Sequence, residues 1–425
     1  MIQTVDSSLS PIHRTVLDNG IVLLVAENPA ADIIAGRIFV RAGSCYESRE
    51  QAGLAHLLSA LMTKGCDGLS SLEIAEKVES VGASLSTDTA TDYFLLSLKT
   101  VTADFEEILA LAGQLLRSPT FPEAQIELER RLALQDIRSQ KEQPFSIAYE
   151  QMRQAMYQNH PYAMSVLGNE TTISSLTRAD LVKFHQTHFR PDNIVISIAG
   201  RITADAAIAL VTAVFGDWQL PSQPQPILNL PTVSVAPQQR LKPTNTQQSI
   251  VMLGYLGPAV KSPGYAPLKL LSTYLGNGLS SRLFVELREK RGLAYEVSAI
   301  YSTRLFPSAF IVYMGTAPEN TSIALQGLQQ EVELLCTTEV AESAFQAAKN
   351  KLLGQYALGK QTNGQIAQIY GWYEILGLGI EFDQKFPEFI NNVSAEDALK
   401  AASEYLQQPY LSLVGPAEAI NQAIA

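Results

Sequence analysis

The chain has 425 residues, 46% apolar and 17% charged, which fits a globular protein of two or more domains and excludes a disordered chain. Its 31 basic and 42 acidic residues leave a net charge of −11 with no basic stripe, which excludes the usual signature of a nucleic-acid binder. The acidity serves solubility or the attraction of basic partners, and net charge alone does not choose between them.

Met1 to Asp6 shows no basic patch followed by an apolar run. No stretch reaches the roughly 20 unbroken apolar residues of a membrane span. Cys45, Cys66 and Cys336 are too few for a disulfide framework and lack metal-site spacing. The expectation is a reducing, cytoplasmic setting without a leader.

Along the chain, Ala52 to Gly65 reads as a helix. Leu54, Leu57, Leu58, Leu61 and Met62 form its apolar stripe, with His56, Ser59 and Ala60 on the opposite face and Gly65 as a candidate cap. A second helix stops at Gly82, and Tyr93 to Leu98 follows as a strand. A long helical region is expected around 123–157, then a helix at Leu181–His185, a turn at Pro191 and a strand from Ile194 to Gly200. Pro221-Ser222-Gln223-Pro224-Gln225-Pro226 is the clearest linker, because proline blocks helix.

Beyond the linker the order repeats. A helix through Leu283, Phe284 and Leu287 stops at Gly292 and leads into a strand with Tyr295, Val297, Ala299 and Tyr301 alternating. A strand at Ala309–Met314, a helical region around 339–372, a helix at Ala398–Tyr405, a turn at Pro409 and a strand closing on Gly415 complete the match. Glycine suits the helix stops because it takes positive φ without a Cβ clash. The expected fold is α+β, with two homologous domains at 1–220 and 237–425 joined by 221–236. Each is a mostly antiparallel sheet with helices on one face.

The segment Gly53-Leu54-Ala55-His56 through Met62 to Lys64-Gly65 resembles the metal helix of the insulinase/pitrilysin metallopeptidases, the inverzincins, in their mitochondrial-processing-peptidase-like branch. That family carries H-x-x-E-H there, two histidines binding zinc with a glutamate general base between them. Here His56 remains, Ser59 stands for the base and Ala60 for the second histidine. The family's third ligand comes from a later helix, and counting 76 residues from Ala60 reaches Asp136; Glu129, seven residues earlier, matches a second acidic position of that helix. The resemblance therefore implies no functional zinc in this chain, with adventitious metal on His56 and Asp136 left open. Asn159-His160-Pro161-Tyr162 and His185 to Asn193 resemble two further segments of the family.

The second half carries what resembles the family's Arg/Tyr element, Arg288 and Tyr295 seven residues apart. In the family these side chains engage substrate at the zinc site. Arginine offers fixed donors to a peptide carbonyl, and a tyrosine hydroxyl can donate to an oxyanion. The glycines of Gly276-Asn277-Gly278 lack the spacing of a nucleotide site and resemble a loop lining the substrate opening. The resemblance implies a pseudo-peptidase subunit contributing Arg288 and Tyr295 in trans. Its partner would be a homologous chain of similar length with intact H-x-x-E-H, which carries the zinc and cleaves peptides. The alternative is a structural subunit like the core proteins of cytochrome bc complexes, which would need neither Arg288 nor Tyr295.

Overall fold

The computed structural model describes residues 12–225 and 228–425, so the Met1–Asp6 segment and Pro226 of the linker lie outside the described residues. The chain forms two compact units. The first takes residues up to Ile137, Ser165–Asn229 and Leu358–Phe382; the second takes Arg138–Met164, Leu230–Ala357 and Asp383–Ala425.

The first unit is built on strands β1 (His13–Val16), β2 (Val22–Glu27), β3 (Ile33–Val40), β6 (Ser84–Thr89), β7 (Phe94–Val101) and β8 (Ile194–Gly200). They lie in the order β1-β2-β8-β3-β7-β6, and β4 (Gly65–Cys66) with β5 (Leu69–Ser70) makes a separate short hairpin. The second unit has β9 (Gln239–Pro243), β10 (Ser249–Gly257), β11 (Glu296–Tyr301), β12 (Ser308–Thr316) and β13 (Tyr410–Gly415), ordered β11-β12-β10-β13-β9. Read from the β6 and β11 edges, the two orders coincide strand for strand, with β1 added to the first. Each sheet is antiparallel except for one pair in the same place, β2 with β8 and β9 with β13. The α+β fold with two homologous domains is thus present, and the repeat is a repeat of topology.

In the first unit Ile34, Ile38 and Val40 of β3 join Leu54, Leu58, Phe105, Ile108 and Leu115 from the unit's early helices in one core. That is the face expected to carry helices. The other face of the sheet, at Phe39 and Ser197, is covered closely at Gly371 by the helix Asn363–Ile375 from late in the chain. The second unit mirrors this: Met152 and Met156 of the helix Pro144–Tyr157 lie against Gly254 of β10. The compact units therefore exchange a helical segment relative to contiguous halves. Each long helical region splits accordingly, into Glu123–Glu142 and Pro144–Tyr157, and into Glu342–Leu358 and Asn363–Ile375. Pro144 lacks the N–H that would continue the first of these, and the preceding Gln143 is extended at φ −95 and ψ 115. No helix of the described residues is long and apolar enough to cross a membrane.

The helix stops fall where glycine allows. Gly82 has φ +64, with Ala83 N–H donating to the Val78 carbonyl at 3.0 Å and Gly82 N–H to that of Glu79 at 3.0 Å. Gly292 has φ +61, with Leu293 N–H donating to the Leu287 carbonyl at 2.9 Å. Both glycines supply the left-handed residue that ends a helix and points the chain into an edge strand.

Candidate functional site

His56 sits on the helix Leu54–Leu61, shorter than the sequence suggests and entered through Gly53 at φ +94. Leu54, Leu57, Leu58 and Leu61 are buried. The helix N-terminus is held by a residue the motif does not include. The buried Glu47 carboxyl group accepts from Gly53 N–H at 2.9 Å and Ala55 N–H at 2.6 Å, satisfying donors that a first turn leaves open. Burial pushes the Glu47 carboxyl up to about 8, against the pull of those two N–H groups. Glu47 lies six residues before Gly53, outside the usual cap spacing, so no sequence signal marks it.

Around His56 the structure gathers Asp88 of β6 with Asp136 and Glu129 of the helix Glu123–Glu142. Burial lowers the His56 pKa, and all three carboxylates oppose that shift. Asp136 and Glu129, the two acidic positions the resemblance marks on that helix, are thus close enough to act on the His56 charge. Asp88 was not anticipated; its exposed place in the alternating Ser84–Thr89 strand was the available signal.

Other positions do not offer a metal a donor. Ser59 is buried at 3% exposure, not on the open face beside His56, and its hydroxyl folds back to donate to the His56 carbonyl at 2.9 Å. The Thr87 hydroxyl of β6 donates to the Ser59 carbonyl at 2.7 Å, tying the edge strand to this helix. Ala60 has no donor atom. Lys64 places its ammonium 3.1 Å from Glu129 and so occupies that carboxylate. Among the described residues no three His, Cys, Asp or Glu side chains converge as a metal site. A catalytic zinc normally needs three protein ligands and an open position, and the donor set here does not fit one.

Arg288 and Tyr295 belong to the second unit. Arg288 lies in a wide π turn, Phe284–Glu289, where Lys290 N–H reaches back five residues to the Val285 carbonyl at 3.0 Å. The sequence predicts an ordinary helix there. Such turns are uncommon and tend to occur where side-chain direction matters. Arg288 is exposed, with its guanidinium 4.9 Å from the Phe284 ring centroid. Tyr295 stands just before β11, 62% exposed, with its own N–H donating to the Gly315 carbonyl at 2.9 Å. A large aromatic left that open is not part of a core.

The remaining motif segments are structural. His160 Nδ1 accepts from Tyr162 N–H at 3.1 Å, buried among Tyr157, Tyr162 and Phe306. His185 Nε2 meets the Leu116 carbonyl at 2.8 Å, and Asn193 donates to the carbonyls of Arg41 and His188.

A duplicated α+β chain with a histidine helix, an acidic helix beside it and Arg288 and Tyr295 on either side of the second glycine stop is the arrangement to set against known families. The sequence model of the insulinase family, peptidase family M16, matches residues 22–170, and that of the peptidase M16 inactive domain matches 175–352. The chain belongs to the insulinase family, M16. It is 26% identical over 407 residues to an uncharacterized zinc protease of Bacillus subtilis, spanning 95% of this chain and 98% of that one. An uncharacterized zinc protease of Rickettsia felis is 25% identical over 403 residues, 94% of this chain and 96% of its own. The crystal structure of a protease from Helicobacter pylori superposes with a TM-score of 0.91 at 22% identity, covering 96% of this chain and all 100% of that one. A peptidase M16 inactive domain from Pseudomonas fluorescens gives 0.89 at 24% identity, covering 96% and 98%.

Proposed function

We propose that this chain is the zinc-less subunit of a two-chain peptidase, binding peptide and contributing Arg288 and Tyr295 to a zinc-bearing homologue with intact H-x-x-E-H. One observation carries the reading. Two of the three H-x-x-E-H positions hold Ser59 and Ala60, while Arg288 and Tyr295 stay exposed with no side-chain hydrogen bond or ion pair among the described residues. The peptide would add to the β6 edge as an extra strand, since β6 among the described residues pairs only with β7 and lies against the His56 helix. Arg288 would hold a peptide carbonyl, and the Tyr295 hydroxyl would donate to the oxyanion formed at the partner's zinc. Zinc belongs to the partner in this reading, and the setting is the cytoplasm.

The test is to mix the purified chain with a zinc-bearing homologue and follow peptide cleavage. Each chain alone is expected to be inactive or weak and the pair active. Full activity of the homologue alone, unchanged by this chain, rejects the reading. The scaffold alternative draws on the stacking of Arg288 over Phe284, which gives the guanidinium an intrachain partner; it predicts a complex whose activity ignores Arg288.

A further inference from the structure

In the second unit the elements that correspond to those around His56 line an open cleft of about 310 Å³. The helix after β10, Tyr265–Gly276, supplies Lys269, Ser272 and Thr273; β11 supplies Ser298 and Ala299; the helix Glu342–Leu358 supplies Leu352 and Gln355. These are the topological counterparts of the His56 helix, of β6 and of the Asp136 helix. Even the tie between strand and helix recurs, with the Ser298 hydroxyl donating to the Gly276 carbonyl at 2.6 Å. The lining, however, is cationic and hydroxylic where the first unit is acidic.

Lys269 donates one bond, to the Tyr301 carbonyl at 2.9 Å, and has no carboxylate partner among the described residues. Lys351, one turn before Gln355 on the same helix, brings its ammonium within 3.0 Å of where a Cβ on Gly278 would stand, and it too has no ion pair among the described residues. Burial lowers the pKa of both lysines, and no acidic group opposes it. The largely buried Lys269 ammonium, left without a counter-charge in a chain of net charge −11, costs free energy that a bound anion would recover, and the more exposed Lys351 adds a second positive charge beside it. Asn277 and Gln355 pair amide to amide at 2.7 Å and hold the mouth of the cleft.

We infer that this cleft is a binding site for a carboxylate group, carried by a small acid or by an acidic side chain of a peptide. Lys269 and Lys351 donate to its oxygens, and the Ser272 hydroxyl, with no protein hydrogen bond among the described residues, donates a further bond. A phosphate is the poorer match. The site lies at the negative, C-terminal end of the helix Tyr265–Gly276, which opposes two charges on one group more than the single charge of one carboxylate, and it offers neither arginine nor a helix N-terminus, the groups that suit a phosphate. The inference does not depend on the partner-subunit reading, because it concerns this chain alone.

Calorimetric titration of the full chain with glutarate, with Ac-Ala-Ala-Glu-Ala-Ala-NH2, with its Gln counterpart and with inorganic phosphate tests it. Saturable binding of glutarate identifies a small acid as the source. Binding of the Glu peptide without glutarate identifies an acidic side chain, and the Gln peptide is expected not to bind. Lys269→Met and Lys351→Gln should each weaken the carboxylate probe on the order of tenfold. Lys351 has no hydrogen bond or ion pair to lose among the described residues, so its variant decides the question if Lys269→Met does not fold. Absence of binding by both carboxylate probes at millimolar concentration overturns the inference. So does tighter binding of phosphate, or binding unchanged in the folded lysine variants.

Discussion

In the first unit, the helix after β3 sets His56 among Asp88, Asp136 and Glu129, and Lys64 covers the last of these. In the second, the helix after β10 sets Lys269 in a cleft with Ser272, Ser298 and Gln355, with Lys351 at its edge. The frames match: a hydroxyl from the edge strand bonds a helix carbonyl in both, Thr87 to Ser59 and Ser298 to Gly276. Duplication has preserved the backbone arrangement and released the side chains at its centre. The first centre retains acidic groups suited to a cation but not the full donor set. The second has become suited to an anion, and its Arg288 and Tyr295 stand outside that cleft, near the start of the same edge strand.

The sharpest way to break this comparison is to remove the Arg/Tyr pair. In a complex with a zinc-bearing homologue, Tyr295→Phe deletes only an exposed hydroxyl. Losing an oxyanion donor is expected to lower kcat about a hundredfold, on the order of 3 kcal/mol. Arg288→Ala should lower kcat or raise KM to a similar degree. Gel filtration should show the complex intact in both. Unchanged turnover with an intact complex moves the assignment to a scaffold.

The converse experiment rebuilds the first centre. Ser59→Glu, Ala60→His and Asp136→Glu restore the family's pattern, and Lys64→Met frees Glu129 from its ion pair. Micromolar zinc uptake in equilibrium dialysis is expected of the fourfold variant and not of the unaltered chain. Ser59→Glu alone should lower the melting temperature, because it forces a carboxylate into a 3% exposed position. If the fourfold variant folds and still takes up no zinc, the correspondence of these positions with the family's ligands is wrong.

Much of this was legible in the sequence, and the exceptions have physical reasons. The duplication and the glycine stops follow from punctuation, which depends on local backbone geometry, whereas the place of Asp136 was implied only by the family resemblance. The exchange of helical segments was not legible, since Pro144 marks only where a helix breaks and not which sheet the next helix joins. Ser59 looked open because helical spacing alone puts it beside His56; its burial comes from packing against β6. The cleft around Lys269 depends on which residues three distant segments bring together, and no short motif records that.

Acid and base should act on the two units unequally. His185 and His188 in the first unit and His160 in the second are held at about 4 by burial, from an ordinary value of 6.5. Between pH 6.5 and 4 the unfolded chain binds protons that the folded histidines refuse, so stability falls as pH falls through that window. Glu47 works the other way. Its folded carboxyl keeps a proton up to about 8 while the unfolded one loses it near 4.5, so its contribution falls as pH rises across that range. Three histidines outweigh one carboxyl below pH 6.5, and the urea midpoint is expected to peak near there. Glu47→Gln should flatten the decline toward pH 8. A midpoint that climbs steadily to pH 8 in the unaltered chain would falsify this account.

The smallest effect probes the repeat itself. Gly82 and Gly292 both end a helix with positive φ, at +64 and +61, and a Cβ built on either meets nothing within 4 Å. Alanine at each position therefore brings no clash with neighbours and leaves only the cost of the left-handed backbone, roughly 1–2 kcal/mol. The two substitutions should then destabilise by the same amount within error, though one sits in each unit and the helices before them differ, one regular and one a π turn. Because the sites are independent, the double variant should show the sum. Urea unfolding of both single variants and the double measures this directly. A large loss at Gly292 with little at Gly82 would mean that the π turn carrying Arg288 depends on its cap in a way the first unit's helix does not. The two stops would then be alike in angle but not in energy.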